Sequence, residues 1–155
     1  MIREEDFARL PVNLDRQKVI EAIQLARKMR ERAYVPYSNF PVGAALLSLD
    51  GNLYGGCNIE NSSFGLTNCA ERTALFKALS EGCNRFTLLV LTTLRKDPVT
   101  PCGACRQVLS EFASELPILY VNDEEEQVWM DLQVLLPQAF VFTTASTEKT
   151  GEKST

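Results

Sequence analysis

Histidine is absent from this sequence of 155 residues, and that one absence removes a large group of hydrolytic mechanisms. The chain has no imidazole for a Ser-His or Cys-His nucleophilic pair, and none for a zinc site that draws on nitrogen. Long apolar runs are missing too: stretches such as Val42 to Leu47 fall far short of the roughly 20 residues needed to span a bilayer, so a soluble protein with no membrane partner is expected. No basic stretch is present and the net charge is -4, which disfavours a polynucleotide substrate. Met1 to Asp6 carry charges of both signs with no apolar run behind them; no secretory signal is visible, and a cytoplasmic location is expected. Five cysteines are an odd number, against a complete disulfide framework and in favour of free thiols available to a metal.

What is present reads as one domain with an ordinary core. Residues 1–142 form it, and 143–155, with no aromatic and no aliphatic period, are expected to be a disordered tail. Apolar residues from Leu14 to Met29 fall near helical spacing, with Asn13 a plausible cap and Pro36 beyond the end. Val42–Leu49, the Asp50-Gly51 turn and Asn52–Ile59 read as a hairpin whose first strand is buried on both faces. Helix, strand, helix and strand follow over Ala70–Leu79, Phe86–Leu94, Gly103–Phe112 and Pro117–Val121. After them, Asn122–Glu126 reads as an acidic, solvated turn and Val128–Leu136 as a short strand or helical turn. The fold class is therefore α/β: a mixed β-sheet of about five strands with helices on both faces.

The chemistry is concentrated in Asn68-Cys69-Ala70-Glu71-Arg72 and Pro101-Cys102-Gly103-Ala104-Cys105-Arg106. Each segment opens a helix, where orphan N–H groups and the positive end of the dipole favour thiolates. Three thiolates suit Zn²⁺, and three protein ligands leave a fourth position open for water. Cys102-x-x-Cys105 alone would equally fit a redox dithiol or half of a structural zinc site. Cys69 with Glu71 two residues on tilts the balance to catalysis, although Cys57 and Cys83 remain as conceivable fourth ligands and Glu71 could be an ordinary first-turn acid. Three thiolates make the centre negative, and Arg72 is placed to hydrogen-bond one of them; otherwise it is a surface helix arginine. Asn58 and Glu60 alternate with Ile59, so their side chains share a face.

These residues, with Tyr37 to Ala45, Asn58-Ile59-Glu60-Asn61, Cys69 to Ala74 and Pro101 to Gln107, resemble the small homotetrameric cytidine deaminases. The resemblance runs from about Asp15 to Phe140. A ligand-x-Glu followed by Pro-Cys-x-x-Cys is the signature of the zinc nucleobase deaminases. It implies a three-layer fold and a hydrolase acting on the C–N bond of a cyclic amidine, which converts cytidine or 2′-deoxycytidine to the uridine product and ammonia in pyrimidine salvage. One Zn²⁺ per subunit is held by Cys69, Cys102 and Cys105, and Glu71 moves the protons. Phe40 stacks on the base, Asn58 and Glu60 hold the ribose, and backbone around Ala70 and Cys102 reads the base edge. A homotetramer with shared active sites is implied as well, with Phe140 matching an aromatic contributed by a neighbour. Ser62-Ser63-Phe64 stands where the family often has Ala-x-Tyr, so Phe64 brings no hydroxyl and could change sugar preference. Two other classes stay open, a deaminase of modified cytosine nucleosides and a zinc-stabilised binding or thiol redox module.

Overall fold

A computed structural model describes residues 14–142. Helix α1 (Arg16–Arg30) buries Val19, Ala22, Ile23 and Ala26, a single stripe at helical spacing. Its cap is Asp15, whose carboxylate accepts the Gln17 N–H at 2.9 Å; Asn13 and the tail 143–155 lie outside the described residues. Arg27, Lys28 and Arg30 in the last turn face the negative end of the helix dipole.

Strands β1 (Val42–Ser48) and β2 (Leu53–Cys57) form the hairpin, and Gly51 takes the left-handed φ of +81° that the turn requires. Helix α2 (Ala70–Ser80) is followed by Gly82 at φ +86°, then β3 (Phe86–Thr93), α3 (Gly103–Ser110) and β4 (Pro117–Val121). The ambiguous segment after the acidic turn is both of its alternatives in succession: β5 (Gln127–Asp131) runs into α4 (Leu132–Leu135). Asp131 ends the strand by accepting the Gln133 N–H as the helix cap.

The strand order is β2-β1-β3-β4-β5, parallel between β3 and β4 and antiparallel elsewhere. Side chains alternate between two cores, as the period-2 geometry demands. Ala45, Leu47, Leu88, Val90, Leu119 and Val121 point to α1. Ala44, Leu46, Leu89, Leu91, Ile118 and Tyr120 point to the opposite layer, where Ala74, Leu75 and Leu109 of α2 and α3 meet them. The sheet is thus mixed and five-stranded, with helices on both faces, and the apolar runs are strands buried on two sides.

Glycine sets how closely the helices approach. A Cβ at Gly43 would lie 1.9 Å from the Ala26 carbonyl oxygen of α1, and one at Gly56 would lie 2.4 Å from the Ala74 nitrogen of α2. Gly56 pairs with Ala44 in the ladder, so the hairpin draws the first half of α2 against the sheet. The acidic turn is not simply solvated, contrary to expectation. Arg27 reaches Glu125 at 3.0 Å and Arg30 reaches Asp123 at 2.8 Å, while Lys96 pairs with Glu124 and Glu126 accepts from the Asn122 amide. The turn is a strap across the end of α1, and Glu125 at φ +65° is bent to reach it.

Candidate active site

Cys69 and Cys102 occupy the N-cap positions of α2 and α3, with extended backbones (φ -75°, ψ 155° and φ -66°, ψ 166°). Neither side chain caps its own helix, so both sulfurs are free to face each other. Cys105, one turn into α3, is fully buried. The three Sγ atoms lie within 4.8 Å of one another, with Cys69 to Cys102 at 3.9 Å and Cys102 to Cys105 at 3.5 Å. Cys57 and Cys83 are outside this group and point to the Arg32 and Arg85 carbonyls. A fourth sulfur to close the site is therefore lacking.

The electrostatics suit a cation. A hydrogen bond from the Cys105 thiol and one from Arg72 bring Cys69 down to about 5, against the cost of burial. The same bond and burial push Cys105 up. One thiolate thus already stands beside a buried thiol whose hydrogen-bond acceptors are that thiolate and the Glu71 carboxylate. A soft, divalent ion meeting three sulfurs at this spacing resolves the conflict by replacing the shared proton. The donor set fits zinc.

Glu71, in the first turn of α2, is 7% exposed. Burial is the main cause of its rise to about 7, and the Cys69 charge adds to it while a hydrogen bond to its own N–H opposes it. Its carboxylate is not one of the clustered ligand atoms. An acid near half-protonation at neutral pH can both accept and return a proton. Arg72 donates from Nη2 to the Cys69 sulfur at 3.5 Å and to the Thr67 carbonyl at 3.3 Å, and the bond to Cys69 raises its own pKa.

A cavity of about 190 Å³ opens onto this cluster, lined among others by Phe40, Val42, Asn58, Cys69, Ala70, Glu71 and Cys102. Ala70 is buried there as the first residue of α2, where its N–H has no partner inside the helix. Asn58 lies one residue past β2. Its Oδ1 accepts the Val42 N–H and its Nδ2 donates to the Phe40 carbonyl, both at 2.8 Å. The side chain therefore stitches the start of β1 to the end of β2, and it keeps one amide hydrogen for a ligand. Glu60 is more exposed. Its Oε2 accepts from the Tyr37 and Ser38 amides at 2.9 and 3.2 Å, and a Ser38 hydroxyl bond with these amides holds the carboxyl below its ordinary range.

Phe64 and Phe140 do not line the cavity. Phe64 is 74% exposed with its ring at an edge to Tyr37, 5.7 Å between centroids. Phe140 is 70% exposed, tied through its backbone N–H and carbonyl to the Gln107 side chain. Sequence reasoning missed Arg106. It donates to the Pro101 carbonyl at 2.7 Å, to Leu135 at 3.0 Å and to the Thr100 hydroxyl at 3.0 Å, which fixes the turn that presents Cys102. An arginine directly after a presumed ligand was the available signal.

Comparison with known proteins bears on the same segments. A family profile described as "Cytidine and deoxycytidylate deaminase zinc-binding region" matches residues 16–120, from α1 into β4 and across all three cysteines. The chain belongs to that family. Within it, the cytidine deaminase of Sporosarcina psychrophila is 51% identical over 123 residues, covering 79% of this chain and 90% of the relative. That of Halalkalibacterium halodurans is 51% identical over 129 residues, 82% of this chain and 95% of the relative. The crystal structure of cytidine deaminase from Burkholderia pseudomallei superposes with a TM-score of 0.75 at 45% identity, covering 78% of this chain and 98% of that one. The five-stranded sheet and its helices are the fold of this deaminase family, and the three-cysteine group lies within its zinc-binding region.

Proposed function

We propose that the protein hydrolyses cytidine and 2′-deoxycytidine to uridine and 2′-deoxyuridine with release of ammonia, through a single zinc-dependent domain over residues 1–142. The observation that carries this reading is a cluster of three thiols, two of which, Cys69 and Cys102, line one small cavity together with the buried Glu71 and with Phe40.

Zinc, held by Cys69, Cys102 and Cys105, supplies the positive centre that makes a water acidic enough to lose its proton near neutral pH. Glu71 takes that proton and delivers it to N3 of the base as the water oxygen bonds to C4. The carboxylate then carries the oxygen's remaining proton to the C4 amine, the C4–N bond breaks, and ammonia leaves with both atoms and charge balanced. Arg72, bonded to the Cys69 sulfur, withdraws charge from a thiolate that would otherwise weaken the metal as an electrophile. A cavity of about 190 Å³ is below the roughly 300–1,000 Å³ of drug-sized sites; it suits the base alone, with the ribose at the rim. There the remaining Asn58 amide hydrogen and the anionic Glu60 carboxylate can meet sugar hydroxyls, and the free Ala70 N–H can meet the base edge.

The exposed rings of Phe64 and Phe140 support the further reading of a homotetramer in which neighbours close each cavity. Phe140→Ala is expected to lower the mass seen by light scattering and raise KM while zinc content stays at about one per chain; a full-sized assembly with unchanged KM removes the shared-site reading. No described helix is long and apolar enough to cross a membrane, and a small-molecule substrate in place of a polynucleotide agrees with the charge of -4. The deciding experiment adds the zinc-loaded protein to cytidine and follows ultraviolet absorbance with released ammonia. Stoichiometric loss of one and gain of the other is expected, and no change with cytidine or deoxycytidine refutes the function.

A further inference from the structure

Phe40 is the residue common to two cavities. Its inner neighbours are those of the candidate active site, and outside lies a second, open cavity lined by Ser38, Asn39, Pro41, Leu94 and Arg95. The Arg95 guanidinium carbon sits over the Phe40 ring, 5.2 Å from its centroid. Arg95 lines the outer cavity and not the inner one.

This placement is built from below. The Arg95 N–H donates to the Thr93 hydroxyl at 3.1 Å, and the Tyr120 hydroxyl donates to the Arg95 carbonyl at 2.7 Å. Thr93 and Tyr120 are buried and 3.0 Å from each other, so the ends of β3 and β4 hold the Arg95 backbone on both sides. Among the described residues no carboxylate pairs with Arg95, while its neighbour Lys96 is paired with Glu124. The ring is therefore the partner that orients the guanidinium. A cation at this distance from an aromatic face is attracted by the ring quadrupole. Phe40 needs that restraint, because Pro41 follows it and its carbonyl is fixed by Asn58, whereas its ring is half-buried between two spaces.

We infer that Arg95 is a positioning residue for substrate binding: by stacking on the outer side of Phe40 it holds the ring as the wall against which the pyrimidine base packs. The inference rests on the proposed function, in that Phe40 faces a base. Arg95 touches no reacting atom, so it acts on affinity and not on the chemical step.

Turnover of cytidine by the unaltered protein is measured first, and its absence counts against the function itself. With turnover present, Arg95→Ala and Arg95→Lys are compared in the unaltered chain and in a Phe40→Leu background, normalised to bound zinc. Arg95→Ala is expected to raise KM about 2- to 5-fold, the range of an exposed cation–π contact, and to leave kcat within about twofold. Arg95→Lys keeps most of the affinity, and in the Leu background Arg95→Ala shifts KM no further. An equal KM shift in both backgrounds, an unchanged KM, a lysine variant as weak as the alanine one, or an effect confined to kcat overturns the assignment.

Discussion

On one face of the sheet α1 closes over Gly43, and on the other α2 closes over Gly56. The two contacts are alike in construction, yet the polar groups around them end differently. Beside α1, Arg27, Arg30 and the acidic turn are paired with one another. Beside α2 and α3, three thiols and Glu71 are brought together with, among the described residues, a single guanidinium, that of Arg72, bonded to a thiol, leaving Cys69 low, Cys105 high and Glu71 at about 7. Paired charges make a strap. Crowded sulfurs with too few partners make a metal site, because the arrangement is completed only by a cation from outside.

The widest separation of the two faces comes from removing that cation's ligands. Cys102→Ala is expected to lose zinc, activity and thermal stability together, measured by metal analysis and melting; zinc retained at one per chain removes Cys102 from the ligand set. Glu71→Gln is expected to keep zinc and lose turnover by at least ~10²-fold, as for a missing general acid/base, and near-normal turnover would end the proton-transfer role. Smaller again is Arg72→Gln, at about 10 to 100-fold in turnover for a folded, zinc-loaded protein; an unchanged rate would make Arg72 a surface residue.

Two changes test the faces against each other. Gly56→Ala and Gly43→Ala both force backbone apart and are each expected to cost about 1–3 kcal/mol or more by overpacking. Only Gly56→Ala moves the start of α2, so denaturation curves should be alike while turnover per bound zinc falls for Gly56→Ala alone. The smallest effect is Arg27→Ala, whose pair with Glu125 is 28% exposed on each side. About 1 kcal/mol of stability or less is expected, shrinking in high salt, with turnover unchanged. A loss of activity there would show that the strap reaches the site.

Much of this was legible in the chain. Val42 to Leu47 and Leu88 to Leu91 are apolar without a break because both faces of their strands are covered, and Cys69, Glu71, Cys102 and Cys105 stand out because few structures need thiols and a carboxylate at helix starts. The roles of Asn58, Arg106 and Arg95 were not legible, since each depends on a partner brought near by strand order. Asn58 was expected to offer its side chain to sugar hydroxyls, and the fold uses most of it to join β1 to β2.

The acidic turn shows the same limit from the other side. Four acids in a row read as solvated because a sequence shows only neighbours along the chain, and Arg27 is 98 positions from Glu125. Periodicity and residue chemistry, which act over a few positions, determined by themselves the layers, the starts of α2 and α3 and the set of thiols. Which cation meets which carboxylate, how close Gly56 lets α2 come, and what stands behind Phe40 were decided only when β3 and β4 took their places beside β1, because the energies of those contacts fall off within a few ångströms and exist only once the sheet has formed.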